Sequence, residues 1–241
     1  MKTAIIGNGY WSKIIQPYVK EKFDIVQVCD SKTDLSLVWN DKDITSVFIL
    51  TPIHTHCNLV KEALVNGKCV FVEKPLSMNT EECLEILNIS KCMGCDVLVD
   101  YTYMFSDVLR NIPKPDYIFA DLYRMNPYKY EDMNVHWVLT PHILSIIGLF
   151  YDLSETELHN YNLHNGTIKG PNFESTVSLN TINHTSFRFN YGSNKATYDA
   201  GKDGLRNAVD HFSKMLNGKV ESNLEYATLI TGVIEKCLKN I

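Results

Sequence analysis

Thr3-Ala4-Ile5-Ile6-Gly7-Asn8-Gly9-Tyr10-Trp11-Ser12 is the stretch from which the fold can be read. Thr3–Ile6 is a short apolar strand. Gly7 and Gly9 break it, and Trp11–Lys22 continues with helical spacing, accommodating Pro17 only with some distortion. A strand that turns through glycines directly into a helix is the opening half of a βαβ unit. The alternation then repeats. Phe23–Cys29 is a second strand ending on Asp30, and Ser46–Leu50 is a third. Cys57–Asn66 is amphipathic and stops at Gly67, as a helix with a glycine cap would. Cys69–Val72 is a fourth strand. Asn79-Thr80-Glu81-Glu82 opens a helix running to about Met93 and closed by Gly94, and Asp96–Val99 is a fifth strand. Apolar strands alternating with helices predict a parallel sheet with right-handed crossovers, an α/β Rossmann-type domain.

The texture changes after Phe105. Tyr117–Arg124, Thr176–Asn180 and Ser186–Tyr191 alternate with period two, and Leu139–Phe150 is the clearly helical segment among them. This predicts a smaller α+β domain with a mainly antiparallel open sheet. The expected division is 1–105 and 106–241, with helices at Gly204–Leu216 and Leu224–Leu238 and the last expected to pack back on the first domain. An open sheet bearing Phe187, Phe189 and Tyr191 would leave apolar surface in water, which predicts a homodimer or higher oligomer with sheet faces apposed.

Composition narrows the function classes. A formal net charge of −5 on 241 residues argues against broad attraction to nucleic acid or anionic membrane. No apolar run has the length of a membrane span, and the start lacks the apolar core of a secretory signal, so a cytoplasmic protein is expected. Seven cysteines without framework spacing read as free thiols. Cys92-Met93-Gly94-Cys95 has redox spacing but straddles a helix end, and it reads as incidental. No metal set is expected.

Two places carry chemistry. Gly7-x-Gly9 follows a strand and opens a helix, the context in which this motif fits a dinucleotide: Gly7 for the turn, Gly9 for close approach of a pyrophosphate to the helix N-terminus. Ser12 stands where a third glycine is usual. Asp30, ending the second strand, is placed to accept the ribose hydroxyls of NAD and to repel a 2′-phosphate, although Lys32 weakens that preference. The second place is Val70-Phe71-Val72-Glu73-Lys74-Pro75. Lys74 sits just beyond a buried strand, where an ammonium can hold a substrate hydroxyl and stabilise an alkoxide.

The chain resembles the glucose–fructose oxidoreductase/inositol dehydrogenase (Gfo/Idh/MocA) family. Gly7-Asn8-Gly9, Thr51-Pro52 with His56, Ala63-Leu64 to Gly67-Lys68, and Glu73-Lys74-Pro75 carry the resemblance in the first half. Val99-Asp100-Tyr101-Thr102-Tyr103, Asn134-Val135-His136-Trp137 and Pro141-His142 continue it. It implies an oxidoreductase using NAD, with NADP second, on a sugar, cyclitol or nucleotide-linked sugar held in a cleft between the two domains. By position, Lys74 takes the family's lysine role and His142 that of its proton-relaying histidine. The cofactor set implied is Gly7, Asn8, Gly9, Tyr10, Trp11, Asp30, Thr51, Pro52, His56, Glu73 and Lys74. Tyr101, Tyr103, Arg124, Asn126 and Asn134 are the candidates for the substrate side.

The departures are specific. Relatives read Trp-Asp-Leu-x-Pro-His-Asp where this chain has Trp137-Val138-Leu139-Thr140-Pro141-His142-Ile143, so both aspartates are absent. The first would lie four residues before the histidine, on the same face of a continuous helix, and support the relay. The chain also reads as a shortened member, its reduction centred on Asp152–Asp203. These departures motivate a second reading, a catalytically degenerate NAD-binding sensor or partner subunit. A third is a reductase of an imine or non-sugar ketone.

Overall fold

Ala4, Ile5 and Ile6 lie in the first strand, β1 (Lys2–Ile6), which is hydrogen-bonded on both sides and almost wholly buried. The computed structural model describes residues 1–123, 134–179, 183–198 and 203–239. After β1 come α1 (Tyr10–Lys20), β2 (Asp24–Cys29), α2 (Ser36–Trp39), β3 (Ile44–Ile49), α3 (His56–Val65), β4 (Cys69–Glu73), α4 (Thr80–Met93) and β5 (Val97–Asp100). The strands form one parallel sheet in the order β2-β1-β3-β4-β5. Val47, Phe48 and Ile49 of β3 and Val70, Phe71 and Val72 of β4 are buried in succession, as strands covered on both faces must be. On the edge strand β2, Val26 and Val28 are exposed.

Helix boundaries follow local chemistry. The Asn79 side chain accepts from the Glu81 and Glu82 backbone N–H groups at 2.7 and 3.2 Å, with both acids in the first turn of α4. Gly94, at φ 62°, closes that helix in the left-handed conformation.

The remaining elements are α5 (Asp107–Arg110), β6 (Tyr117–Tyr123), α6 (Val135–Val138), α7 (Thr140–Ile147), β7 (Glu157–His159), β8 (Asn165–Gly170), β9 (Phe173–Ser178), β10 (His184–Tyr191), β11 (Asn194–Tyr198), α8 (Gly204–Met215) and α9 (Leu224–Lys239). Met1–Asp100 with Leu205–Thr231 form one compact unit; Tyr101–Gly204 with Gly232–Ile241 form the other. Among the described residues, no helix is long and apolar enough to cross a membrane.

In the first unit, Phe212 of α8 enters an aromatic cluster with Phe23, Phe48 and Phe71, at ring-centroid separations of 5.7, 5.3 and 5.7 Å. The free edge of the sheet is closed by side chains. Asn223 accepts from the Val99 N–H and donates to the Val99 carbonyl, both at 2.8 Å, so an amide stands in for the missing neighbour of β5.

The second unit holds a six-stranded sheet ordered β11-β10-β6-β9-β8-β7, antiparallel except for the parallel pair β6–β9. The stretch expected to be depleted of strands carries five of them. β8 escapes a period-two reading because Asn165-Gly166-Thr167-Ile168-Lys169-Gly170 has one large apolar residue and two glycines. Gly166 is required there, since a Cβ would overlap the His136 ring. Phe187 and Phe189 correct a second expectation. Both are fully buried, on the sheet face that Ile118, Ala120, Leu122 and α7 occupy. The opposite face presents half-buried Tyr117, Phe119, Asp121 and Tyr123, with Arg188 ion-paired to Asp121 at 3.0 Å.

Phe212→Ala should cost about 3–5 kcal/mol, the usual loss for a buried phenylalanine. Denaturant unfolding monitored by circular dichroism measures it, and a loss below about 1 kcal/mol would place α8 outside this core.

Candidate functional site

The parallel sheet brings Gly7, Asp30, Leu50-Thr51, Lys74 and Asp100 to one edge, because each lies at the carboxyl end of a strand or just beyond it. With the order β2-β1-β3-β4-β5, the chain leaves the sheet in opposite directions from β1 and β3, which opens a crevice between Gly7-Asn8-Gly9 and Thr51-Pro52. Gly7 has φ 108°, and a Cβ there would lie 2.5 Å from the Leu50 carbonyl oxygen, so only glycine permits this approach. Gly9 is the N-cap of α1, has no side-chain capping bond, and faces open space. Asn8 and Tyr10 are exposed beside it. The indole N–H of Trp11, in the first turn, is buried without a hydrogen-bond partner among the described residues. Uncapped N–H groups, a glycine cradle and an orphaned donor fit an anionic dinucleotide.

Asp30 follows β2. Its Oδ1 accepts from the Lys32 backbone N–H at 2.9 Å and the Thr33 hydroxyl at 3.0 Å. The Lys32 bond, with the Thr33 hydroxyl second, holds the carboxyl below its ordinary pKa, so it is an acceptor at neutral pH.

His56 is buried at the start of α3, and both ring nitrogens are engaged within the protein: Nε2 with the Thr51 carbonyl at 2.8 Å and Nδ1 with the Pro75 carbonyl at 2.9 Å. Burial lowers its pKa, the charges of Lys74 and His54 adding to the effect while the two carbonyls oppose it. The neutral ring has one N–H, so at any time it donates to one of these carbonyls while lying against the other, between the loop after β3 and the loop after β4. Thr51 is further fixed by the Thr55 hydroxyl at 2.6 Å, and the Pro52 carbonyl accepts from Thr55 at 2.9 Å. Lys74 precedes Pro75 through a cis peptide. Glu73 and Asp100 are register partners at the ends of β4 and β5, which places their carboxyl groups as neighbours. Burial first, then Asp100, raises Glu73 well above the carboxylate range, with Lys74 opposing. The role of Asp100 escaped the sequence reading. Its signal was an acid ending an otherwise apolar strand.

In the second unit, His142 is half-exposed on α7, a helix whose other residues are all buried. Its ring lies 5.0 Å from that of half-buried Tyr103, which in turn meets Phe187 at 5.7 Å. The expected continuous helix is interrupted: α6 ends at Val138, α7 begins at Thr140, and Leu139 between them has φ −111°. Val138 and Ile143 are buried and apolar. Tyr101 is fully buried. Asn134 caps α6, accepting from the His136 N–H at 2.9 Å, and donates to the Tyr161 hydroxyl at 2.7 Å. Arg124 and Asn126 lie outside the described residues.

Residues 1–101 match the model of an oxidoreductase family with an NAD-binding Rossmann fold. That family is Gfo/Idh/MocA, and the match covers 101 of the chain's 241 residues. A 2,7-anhydro-N-acetylneuraminate hydratase of Mediterraneibacter gnavus is 28% identical over 133 residues, covering 47% of this chain and 36% of that protein. The matches span 36% and 33% of the first two curated relatives' lengths, about a third. A UDP-N-acetylglucosamine 3-dehydrogenase of Acidithiobacillus ferrooxidans superposes with a TM-score of 0.81 at 14% identity, over 98% of this chain and 96% of that one. An oxidoreductase of Agrobacterium radiobacter, solved with NAD⁺, L-tartaric acid and magnesium, gives 0.79 at 15% identity over 99% and 95%. At these identities the superpositions show the fold.

His136 supplies a test of this region. It is buried, with Nδ1 2.9 Å from the Thr140 hydroxyl, and burial lowers its pKa to about 4. The unfolded chain titrates near the ordinary value of about 6.5. The stability it contributes is therefore complete above about pH 6.5 and lost as pH falls toward about 4, up to roughly 3 kcal/mol. Unfolding midpoints at pH 7 and pH 4.5 should separate less in His136→Gln than in the wild type. An equal separation would assign the acid loss elsewhere.

Proposed function

We propose that the chain is an NAD-dependent oxidoreductase that moves hydride to or from a secondary alcohol or ketone of a sugar, cyclitol or nucleotide-linked sugar. The supporting observation is the sheet edge, where an uncapped helix N-terminus at Gly9, the Asp30 carboxylate and Lys74 all follow the carboxyl ends of parallel strands. The carbohydrate class draws on the relatives' names, a neuraminate-acting hydratase and a nucleotide-sugar dehydrogenase.

The chain's own residues divide the work. Gly7 and Gly9 let backbone N–H groups approach the pyrophosphate of the dinucleotide. Asp30 accepts the ribose hydroxyls and disfavours a 2′-phosphate. NAD, when bound, supplies the hydride acceptor or donor. Lys74 orients the reacting oxygen and stabilises negative charge on it, and His142 holds the hydroxyl proton on its imidazole. The rival, a cofactor-binding protein without turnover, is motivated by Val138 and Ile143, which give His142 no carboxylate support.

We also propose a homodimer through the outer face of the second unit's sheet, where the half-buried rings of Tyr117 and Phe119 lie 4.7 Å apart between centroids, tilted to one another. Sedimentation at micromolar concentration should show a dimer, and a monomer there removes the proposal.

Following absorbance of NADH against a panel of sugars and nucleotide sugars tests the activity. On a substrate so found, Lys74→Ala should lower turnover by about 10²–10³-fold, the loss expected for one donor to a developing oxyanion. Calorimetry should show NAD(H) bound more tightly than NADP(H), with the preference eroded in Asp30→Ala. Unchanged turnover in the lysine variant would remove Lys74 from the mechanism. Cofactor binding with no turnover on the panel would favour the rival.

A further inference from the structure

Glu73 and Asp100 end adjacent parallel strands in register, so their side chains leave the sheet on the same face, about one strand spacing (~4.8 Å) apart. Asp100 is fully buried, and Oε1 of Glu73 is shielded from solvent although the residue as a whole is half-buried. Oε1 of Glu73 has no hydrogen-bond partner among the described residues, and Asp100 is the neighbouring acid that, after burial, raises Glu73 most. An ionised carboxylate is only an acceptor, so two carboxyl groups can share a hydrogen bond only with a proton on one of them. The backbone N–H of Lys74 acts in the opposite sense on Glu73. Among the described residues, Asp100 and Lys74 are the charged groups that act on Glu73. On the far side of the pair, Asn223 pins both backbone groups of Val99, the residue before Asp100, which fixes where the second carboxyl sits.

We propose that Glu73 and Asp100 form a proton-sharing carboxyl dyad that positions Lys74 and presents a single negative charge beside it. With one shared proton, the dyad and the ammonium balance. Loss of that proton would place two negative charges next to Lys74 and weaken its hold on an oxyanion, while a second proton would leave the ammonium unopposed. Burial and the neighbouring carboxylate both favour retention of the shared proton, in keeping with the raised Glu73. Two carboxyls this close titrate as a unit. The inference deepens the reading of Lys74 as the residue that contacts the reacting oxygen and rests on it, but the dyad's proton is detectable without substrate.

The test is an infrared spectrum of the full chain in deuterated buffer at neutral pD, without added ligand. The wild type should retain one protonated-carboxyl C=O band in a range where ordinary carboxylates are ionised. Glu73→Gln and Asp100→Asn each leave a single carboxyl with a neutral amide neighbour beside Lys74, and each should lose the band. Absence of the band in the wild type overturns the dyad, as does its persistence in both variants. If a variant does not fold, the wild-type spectrum over pD still decides, since a shared proton must be held above the ordinary carboxylate range. A second readout separates positioning from simple packing. On an active substrate, the limb of the kcat–pH profile due to the dyad should vanish in Glu73→Gln, and an unchanged limb would overturn the positioning role. Failure to find any substrate would count against the enzymatic reading and leave the infrared result standing.

Discussion

The close approach of Gly7 to the Leu50 carbonyl is the constraint from which the rest of the first unit's functional edge follows. It lets β1 end directly against β3, so the turn into α1 opens beside Thr51. From there a run of polar contacts follows the carboxyl edge of the sheet. His56 lies between the Thr51 and Pro75 carbonyls, Glu73 and Asp100 stand side by side in register, and Asn223 holds Val99. The ends of β3, β4 and β5 are thereby tied together at the edge where a cofactor would lie.

Such a chain has an energetic logic. Each buried donor or acceptor left without its partner costs about 1–3 kcal/mol, more for a charge, whereas a satisfied pair contributes only about 1 kcal/mol net. The polar edge therefore adds little to stability but penalises every alternative arrangement of these loops. Stability in this unit comes from elsewhere, from the aromatic cluster around Phe48 and the apolar strands β3 and β4. The division leaves the sheet edge free to be specified by function.

What the sequence disclosed depended on how local the determining physics was. The strand–glycine–helix opening and the Asn79 and Gly94 caps act within a few residues, and the elements formed at those places. The glycine-rich strand β8 was hidden, because its place is fixed by partners β7 and β9 and by the space His136 takes. Alternation in β10 was legible, but which face Phe187 and Phe189 take depends on where α7 packs. An amphipathic α8 does not reveal which core it joins; the ring contacts of Phe212 do. In the site, Lys74 and Asp30 were legible as strand-end residues, whereas the pairing of Glu73 with Asp100 is a matter of register across 27 residues.

The helix break at Leu139 changes what the missing aspartates mean. On a continuous helix, Val138→Asp would simply return a carboxylate to the face of His142. Here Val138 closes α6 and is 8% exposed, and Ile143 is 0% exposed. An aspartate at either position would enter an apolar interior, where an unpaired charge is neutralised or forces rearrangement. The packing around α6 and α7 has therefore adapted to apolar residues at both positions, and restoring the acids one at a time would destabilise the segment that presents His142. Carboxylate chemistry close to a candidate reactive group is instead found in the first unit, beside Lys74, where Glu73 and Asp100 end adjacent strands in register.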